Sequence, residues 1–350
     1  MKLPASKSST HREVQEIDAL FEGAGLVRNL RGKAAGITWR DRFARAAPAE
    51  LSRRSAAPRV AGNGVQWLAA PGWLRMPWLW HGFSTRKGGL SRAYCADDAP
   101  GELNLGFTAA DSREAVVRNR QLLAEAVTGD PATPLRTLHQ VHSTLIRIGD
   151  GSLSLGCKGD GLMTGEPGVL LGVQTADCIP VLVADRKRRA VAAFHAGWRG
   201  TVGRIVEAGI GRMRLEFGSR PEDLVAAIGP GIGQCCYAIG EEVLSNFESQ
   251  FAYSLELFRE VYDTDPVRAK YPMLFLTQRA PGHSNIGPSL HLDLVEANRR
   301  QLVAAGLKPG AIKLVGGCTC CQPELFFSHR GSQGHAGRML SVIGIRPVAG

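Results

Sequence analysis

The stretch "VQTADCIPVLVADRKRRAVAAFHAGWRG", residues 173–200, decides the reading of this chain. It reads as two buried strands joined by a basic turn. Each apolar run is interrupted at one end by a side chain that a core does not require: Cys178 in the first, His195 in the second. Asp177 adjoins the thiol, and Trp198 and Arg199 follow the imidazole. The arrangement puts metal-type or nucleophilic side chains at strand ends, where a fold can present them to a ligand.

Outward from this hairpin, strand patterns occupy 137–148, 168–176, 223–230, 311–317 and 339–345. Helical patterns occupy 111–127, which opens on an Asp cap, and 200–217, 239–251 and 292–307. The two mix without a strict βαβ rhythm. That predicts an α/β protein of the α+β kind, a single domain of helices packed on mixed β-sheets. Residues 1–70, rich in Ala, Arg and Ser, read as an N-terminal extension, poorly ordered or partly helical, with "EVQEIDALFEGAG" as its one amphipathic helix. The domain is expected over 71–350. The stretch 252–290 lacks periodicity and is read as a long ordered loop or lid near a site.

Of 350 residues, 44% are hydrophobic, enough for a sizeable core. The net charge of +10 favours an anionic ligand, a nucleic acid or solubility without choosing among them. No apolar run reaches the roughly 18 residues of a membrane helix. The N-terminus lacks a signal core, and Glu13, Glu16, Asp18 and Glu22 break the acid-poor pattern of an organellar presequence. The chain is therefore expected in the cytoplasm, away from membranes, as a monomer or weak homodimer. A role in nucleic-acid binding would rest on charge alone, without a reading motif. The cysteines are too sparse for a disulfide framework. "CTCC" at 318–321 contains one C-x-x-C spacing, with no second such pair to complete a zinc ribbon. Cys318, Cys320 and Cys321 read as packing beside the site, with a second metal or redox site as the alternative.

His142, in "HQVHS", is the third residue of interest. No local spacing links His142, Cys178 and His195, so only the fold can join them. Two imidazoles and a thiolate suit zinc with an open fourth position, which means catalysis. The same atoms also fit a Cys178 nucleophile with His195 as its base. A bland reading makes them a buried small hydrophobe and satisfied core histidines. Two turns add cationic groups. Gly197 and Gly200 flank Trp198-Arg199 ahead of a helix, and "GFSTRKGGLS" places Arg86 in a turn suited to phosphate. Asn104 opens "NLGF", one of several turns, with "GDGLMT" and "IGPGIGQCCYAIG", whose polar groups could line a cleft.

Together, "GFSTRKGGLS", "LNLGF", "HQVHS", "GDGLMT", "TADCIPVLVAD", "HAGWRGT", "IGPGIGQCCYAIGEEV", "LDLVEANRRQL" and "CTCCQPELFFSHRGSQGHAGRM" resemble the YfiH or laccase-domain family over roughly residues 75–345. The resemblance implies one α/β domain with a mononuclear zinc on His142, Cys178 and His195. It implies purine nucleoside phosphorylase activity on adenosine, inosine, guanosine and methylthioadenosine, with adenosine deamination as a second activity. The older oxidase label rests on copper, which the sequence supports less because multiple His-x-His pairs are absent. Under this reading Arg86, Asn104 and Arg199 bind substrate or phosphate, Arg199 acts in catalysis with Cys178, and Asp177 shuttles protons for deamination. A peptidoglycan-editing role on a cell-wall precursor is the functional alternative. The chain departs from the family at "FFSHRG", with His329 for tyrosine and Gly331 for arginine, while Arg338 in "GRM" remains.

Overall fold

The computed structural model describes residues 43–46, 48–96, 98–154, 156–261 and 289–347. The chain divides into two units, Met1–Ala44 and Arg45–Gly350. Only Phe43 and Ala44 of the first are described, so the architecture below is that of the second. The helix expected at "EVQEIDALFEGAG" and the "APGHSNIGP" part of the expected lid lie outside the described residues.

Strands β1 (Arg45–Ala46), β2 (Arg59–Val60), β3 (Gln66–Leu68), β4 (Leu79–Ser84) and β5 (Lys87–Ser91) precede helix α1 (Arg113–Thr128). Then come β6 (Leu135–Arg136), β7 (Ile146–Ile148), β8 (Gly161–Thr164), β9 (Leu170–Thr175), β10 (Ile179–Asp185) and β11 (Val191–Ala196). Helices α2 (Trp198–Val202) and α3 (Ile205–Phe217) lead to β12 (Leu224–Ile228), α4 (Glu241–Gln250) and β13 (Phe258–Val261). The described chain ends with β14 (Ser289–Leu292), α5 (Leu294–Ala304), β15 (Ile312–Leu314) and β16 (Met339–Ile345).

One six-stranded sheet runs β15-β12-β10-β11-β8-β7 and a second runs β2-β3-β4-β16-β9-β6, beside a three-stranded β1-β13-β14. Both large sheets are mixed, as the irregular strand–helix rhythm predicts: β10 pairs antiparallel with β11 and β12, while β7–β8, β12–β15 and β6–β9 are parallel. The second sheet begins upstream of residue 71, since β2 and β3 belong to it and Trp67 and Leu68 are buried.

The sheets stack face to face, β9 and β16 against β10 and β11. Strand alternation sorts their side chains. Leu171, Val173 and Ile343 turn inward onto Leu182, Ala184, Val191 and Ala193. Leu170, Leu340 and Val342 turn outward with Trp67 and Trp80 onto Leu123 and Ala124 of α1. Helix α3 covers the far face of the other sheet, and Gly209 lies so close to Phe194 of β11 that a Cβ there would stand 2.2 Å from the ring.

Three local readings change. Ser112, not Asp111, caps α1 by accepting from the Ala115 N–H at 3.1 Å; Asp111 instead accepts from the Asn104 side chain. The helix expected over 200–217 is broken, because Arg204 adopts a left-handed φ of 60° between α2 and α3. Of 137–148, only Ile146–Ile148 is strand, so His142 sits in a loop rather than on a strand.

Candidate active site

The second sheet hands the chain to the first through the short connection Ala176-Asp177-Cys178. β9 ends at Thr175 and β10 starts at Ile179, which leaves Cys178 at the mouth of the β10–β11 hairpin. In that hairpin Pro180 pairs with His195, so strand pairing itself brings the thiol and the imidazole to one edge. Asp185 holds the other end of the hairpin by accepting from the Lys187 and Arg188 N–H groups at 2.8 Å.

His142 completes the group. Its Nε2 lies 3.8 Å from the Cys178 sulfur, and its ring lies 4.9 Å from that of His195. Donor atoms of all three residues lie within 4.8 Å of one another. Gly197 makes this convergence sterically possible: a Cβ there would stand 3.0 Å from both the Cys178 sulfur and the His142 ring.

Asp160 organises the site, and sequence reasoning missed it although it quoted "GDGLMT". Its carboxylate is fully buried. It accepts from His195 Nδ1 at 2.8 Å, from the Val141, His142 and Ser143 N–H groups at 3.3, 3.0 and 2.6 Å, and from Ser143 Oγ at 2.7 Å. One carboxylate therefore fixes the His195 tautomer, leaving Nε2 free toward the centre, and holds His142 in its left-handed conformation, φ 57°. A buried Asp flanked by glycines ahead of an apolar strand was the signal available.

The electrostatics follow from these contacts. Burial acts to raise the Asp160 pKa, but the hydrogen bonds from His195 and Ser143 outweigh it and hold the carboxyl well below the usual range. Burial acts against the Cys178 thiolate too, yet the His195 charge and the hydrogen bond from His142 bring the thiol down to about 6. Burial disfavours the His195 cation, while the Cys178 and Asp160 charges prevail and lift it to about 9.

The three residues line a cleft of about 820 Å³, within the range of small-molecule sites, roughly 300–1,000 Å³. Arg113, Arg120, Arg136, Arg330 and Arg338 line it as well, against Asp177 as its acid. Nη2 of Arg120 and Nε of Arg136 are buried with no hydrogen-bond partner among the described residues. Arg120 is otherwise held by the Leu105 carbonyl at 2.9 Å and the Phe107 ring at 4.5 Å; burial, with Arg113 second, draws its pKa down to about 10. Five guanidiniums lining one cleft suit an anionic ligand.

Other expected residues take different positions. Arg86 lies outside the cleft lining: it pairs with Glu102 at 2.7 Å, donates to the Pro323 and Tyr94 carbonyls and stacks on Phe327. Asn104 is fully buried, and its amide is used by Gly106, Asp111 and the Arg338 N–H. Arg199 is exposed and stacked on Trp198, again outside the lining. Local turn chemistry suggested phosphate contacts for these residues, but their tertiary partners occupy or displace them. Asp177 does line the cleft, yet its carboxylate accepts from Thr319, Ser328 and the Arg330 N–H at 2.6–2.7 Å. Those three donors tie its side chain to the segment that carries Thr319, Ser328 and Arg330.

Stacked mixed sheets with a two-histidine, one-cysteine group at a hairpin mouth define an α/β protein of the YfiH type. The crystal structure of a Bacillus licheniformis hypothetical protein YfiH superposes with a TM-score of 0.65 at 28% identity, covering 84% of this chain and 99% of that one. Residues 80–346 match the family described as multi-copper polyphenol oxidoreductase laccase, and the chain belongs to it. A purine nucleoside phosphorylase of Bacteroides thetaiotaomicron is 35% identical over 271 residues, 75% of this chain and 90% of the relative. Purine nucleoside phosphorylase YlmD of Geobacillus stearothermophilus is 35% identical over 294 residues, 79% and 96% of the two chains. Adenosine deaminase RL5, from an unknown prokaryotic organism, is 34% identical over 184 residues, 53% of this chain and 61% of the relative.

Proposed function

We propose that this protein is a cytoplasmic, zinc-dependent purine nucleoside phosphorylase. Its substrates in this reading are adenosine, inosine, guanosine and methylthioadenosine, with adenosine deamination as a second activity. The convergence of His142, Cys178 and His195 in an arginine-lined cleft carries the proposal. The names of the relatives, phosphorylase and deaminase, support non-redox chemistry and so favour zinc over copper.

The donor set fits such an ion. Two imidazoles and a thiol that already favours its thiolate form a three-ligand group, and the Asp160–His195 contact is the carboxylate support that metal-bound histidines ordinarily have. When bound, the ion would supply Lewis-acid polarisation of an oxygen or activation of water.

The chain's own residues account for the rest. In phosphorolysis a phosphate oxygen bonds to the anomeric carbon as the glycosidic C–N bond breaks; the purine leaves with that electron pair and gains a proton. Arg120 and Arg136, which line the cleft, hold and orient the phosphate dianion. The Phe107 ring, 4.5 Å from the Arg120 guanidinium carbon, helps to position that cation. Tyr237, on the cleft wall, has its phenol pushed up by burial first and by Cys178 second, so it remains a protonated donor toward substrate.

Incubation of inosine and adenosine with and without phosphate tests the proposal. Hypoxanthine and ribose 1-phosphate should form from inosine only when phosphate is present, whereas ammonia release from adenosine should not need it. Base release without ribose 1-phosphate at any phosphate concentration would refute the phosphorylase reading. The Cys178–His195 charge pair also favours a second reading, a thiol hydrolase. That reading requires activity that survives chelation and is lost on alkylating Cys178.

A further inference from the structure

Four thiols outside the cleft lining form a second group. Sulfurs of Cys235, Cys236, Cys318 and Cys321 all lie within 4.8 Å of one another, and none is in a disulfide. Cys321 stands 3.4 Å from Cys235 and 3.3 Å from Cys236. Cys318 and Cys321 are the C-x-x-C pair of "CTCC", and the adjacent Cys235-Cys236, far away in sequence, supplies two further thiols without that spacing. We propose that these four cysteines bind a second zinc ion, tetrahedral and structural, distinct from the His142–Cys178–His195 group.

Geometry and surroundings carry this. Zinc–thiolate bonds of about 2.3 Å place tetrahedral sulfurs about 3.8 Å apart, so the four need only small shifts to close around an ion. The Gly233 N–H donates to the Cys318 sulfur at 3.2 Å, a contact that favours a thiolate there. Gly233 is also sterically required: a Cβ would stand 3.0 Å from the Cys318 side chain and 3.1 Å from the Cys235 sulfur. Cys235 and Cys318 are buried, whereas Cys321 is exposed, which leaves one side open for the ion to enter.

The ion would add to the backbone contact the two segments already make, in which the Thr319 N–H donates to the Gly231 carbonyl at 3.0 Å. The Ile232 N–H donates to the Asp177 carbonyl at 2.7 Å, and Thr319, Ser328 and Arg330 clamp the Asp177 side chain. Each cysteine pair lies within three residues of one of these contacts. The cluster thus supports the backbone that presents Cys178.

Zinc counting on the full chain, purified and reloaded under reducing conditions, tests the proposal. His142→Ala removes the cleft group from the count, so that variant should retain one zinc. Adding Cys318→Ser and Cys321→Ser should take it to none, while Cys157→Ser should leave it unchanged. Should the serine variants fail to fold, alkylation of the His142→Ala protein decides. Bound zinc should slow modification of the four cysteines about tenfold or more, because a metal-held thiolate is not free to react, and a chelator should abolish that protection. Absence of zinc in reloaded His142→Ala, with equal alkylation in the presence and absence of chelator, would overturn the proposal. So would a Cys235–Cys321 or Cys236–Cys321 disulfide in the native protein. Loss of cleft zinc in the parent chain bears only on the proposed function, because the four-cysteine count is made without it.

Discussion

Asp160→Asn isolates the residue that sequence reading missed. The substitution keeps the shape but removes the charge, and it sets an amide NH₂ among five donors that now point at carboxylate oxygens. At least one donor loses its acceptor in a fully buried place. A hydrogen bond to a charged group contributes about 1.5–3 kcal/mol, and stranding its partner costs a similar amount, so folding stability should fall by about 3 kcal/mol. The His195 ring loses the contact that fixes its tautomer, so metal affinity should fall about 10- to 100-fold, as for other carboxylates supporting metal-bound histidines. Urea unfolding of the metal-free protein measures the first effect, and competition with a chromophoric chelator measures the second. Ser143→Ala, which removes the hydroxyl's bond to Asp160 and the acceptor it offers the Leu145 N–H, should cost about 1–2 kcal/mol and leave affinity nearly intact. Affinity within twofold of the parent in Asp160→Asn would refute the view that this carboxylate positions the ligands.

Arg120→Ala should raise the KM for phosphate and cost phosphorolysis about 2–4 kcal/mol, with adenosine deamination much less affected; equal loss of both would assign Arg120 to the nucleoside instead. Arg199→Ala, at an exposed position outside the cleft, should change stability by less than about 0.5 kcal/mol and leave both activities near the parent values, checked on one preparation. Burial holds His81 down to about 4, below the 6.5 of a free imidazole, and its Nε2 accepts from the Ala70 N–H at 3.1 Å. Protonation therefore favours the unfolded chain. The contribution is full above about pH 6.5 and lost as pH falls through about 4, up to roughly 3 kcal/mol. His81→Gln should flatten the decline of the urea midpoint over that window, and parallel profiles would count against it. Gly209→Ala should cost about 1–3 kcal/mol by pushing α3 off the Phe194 ring, measured by thermal unfolding.

The hairpin that opens the chain's reading was legible because buried strands leave continuous apolar runs, and its two reactive ends stand out against them. The mixed sheets followed from the same patterns. His142 was picked out by residue type, and the fold brings it beside Cys178 and His195, but its loop could not be read: "TLHQVHSTLIRI" alternates like a strand, whereas its backbone N–H groups donate to the Asp160 carboxylate instead of a neighbouring strand. Arg86, Asn104 and Arg199 lie outside the cleft lining, although one signal singled them out. A cation or amide in a glycine-bearing turn looks available until its tertiary partners are known. Arg120 and Arg136 carried the opposite signal, a surface charge on an amphipathic helix and a charge in a short strand, and their place in the cleft lining exists only in three dimensions. The cysteine cluster was illegible because its two halves come from segments that meet only after folding.

Ribose 1-phosphate formation from inosine, measured with zinc content on the same preparations of the parent chain and His142→Ala, tests the central claim most directly. The account predicts phosphate-dependent formation by the zinc-loaded parent chain. It predicts loss of the product in His142→Ala together with one zinc, while the fold is retained by circular dichroism. Full phosphorolysis by a His142→Ala protein that lacks that zinc would contradict it.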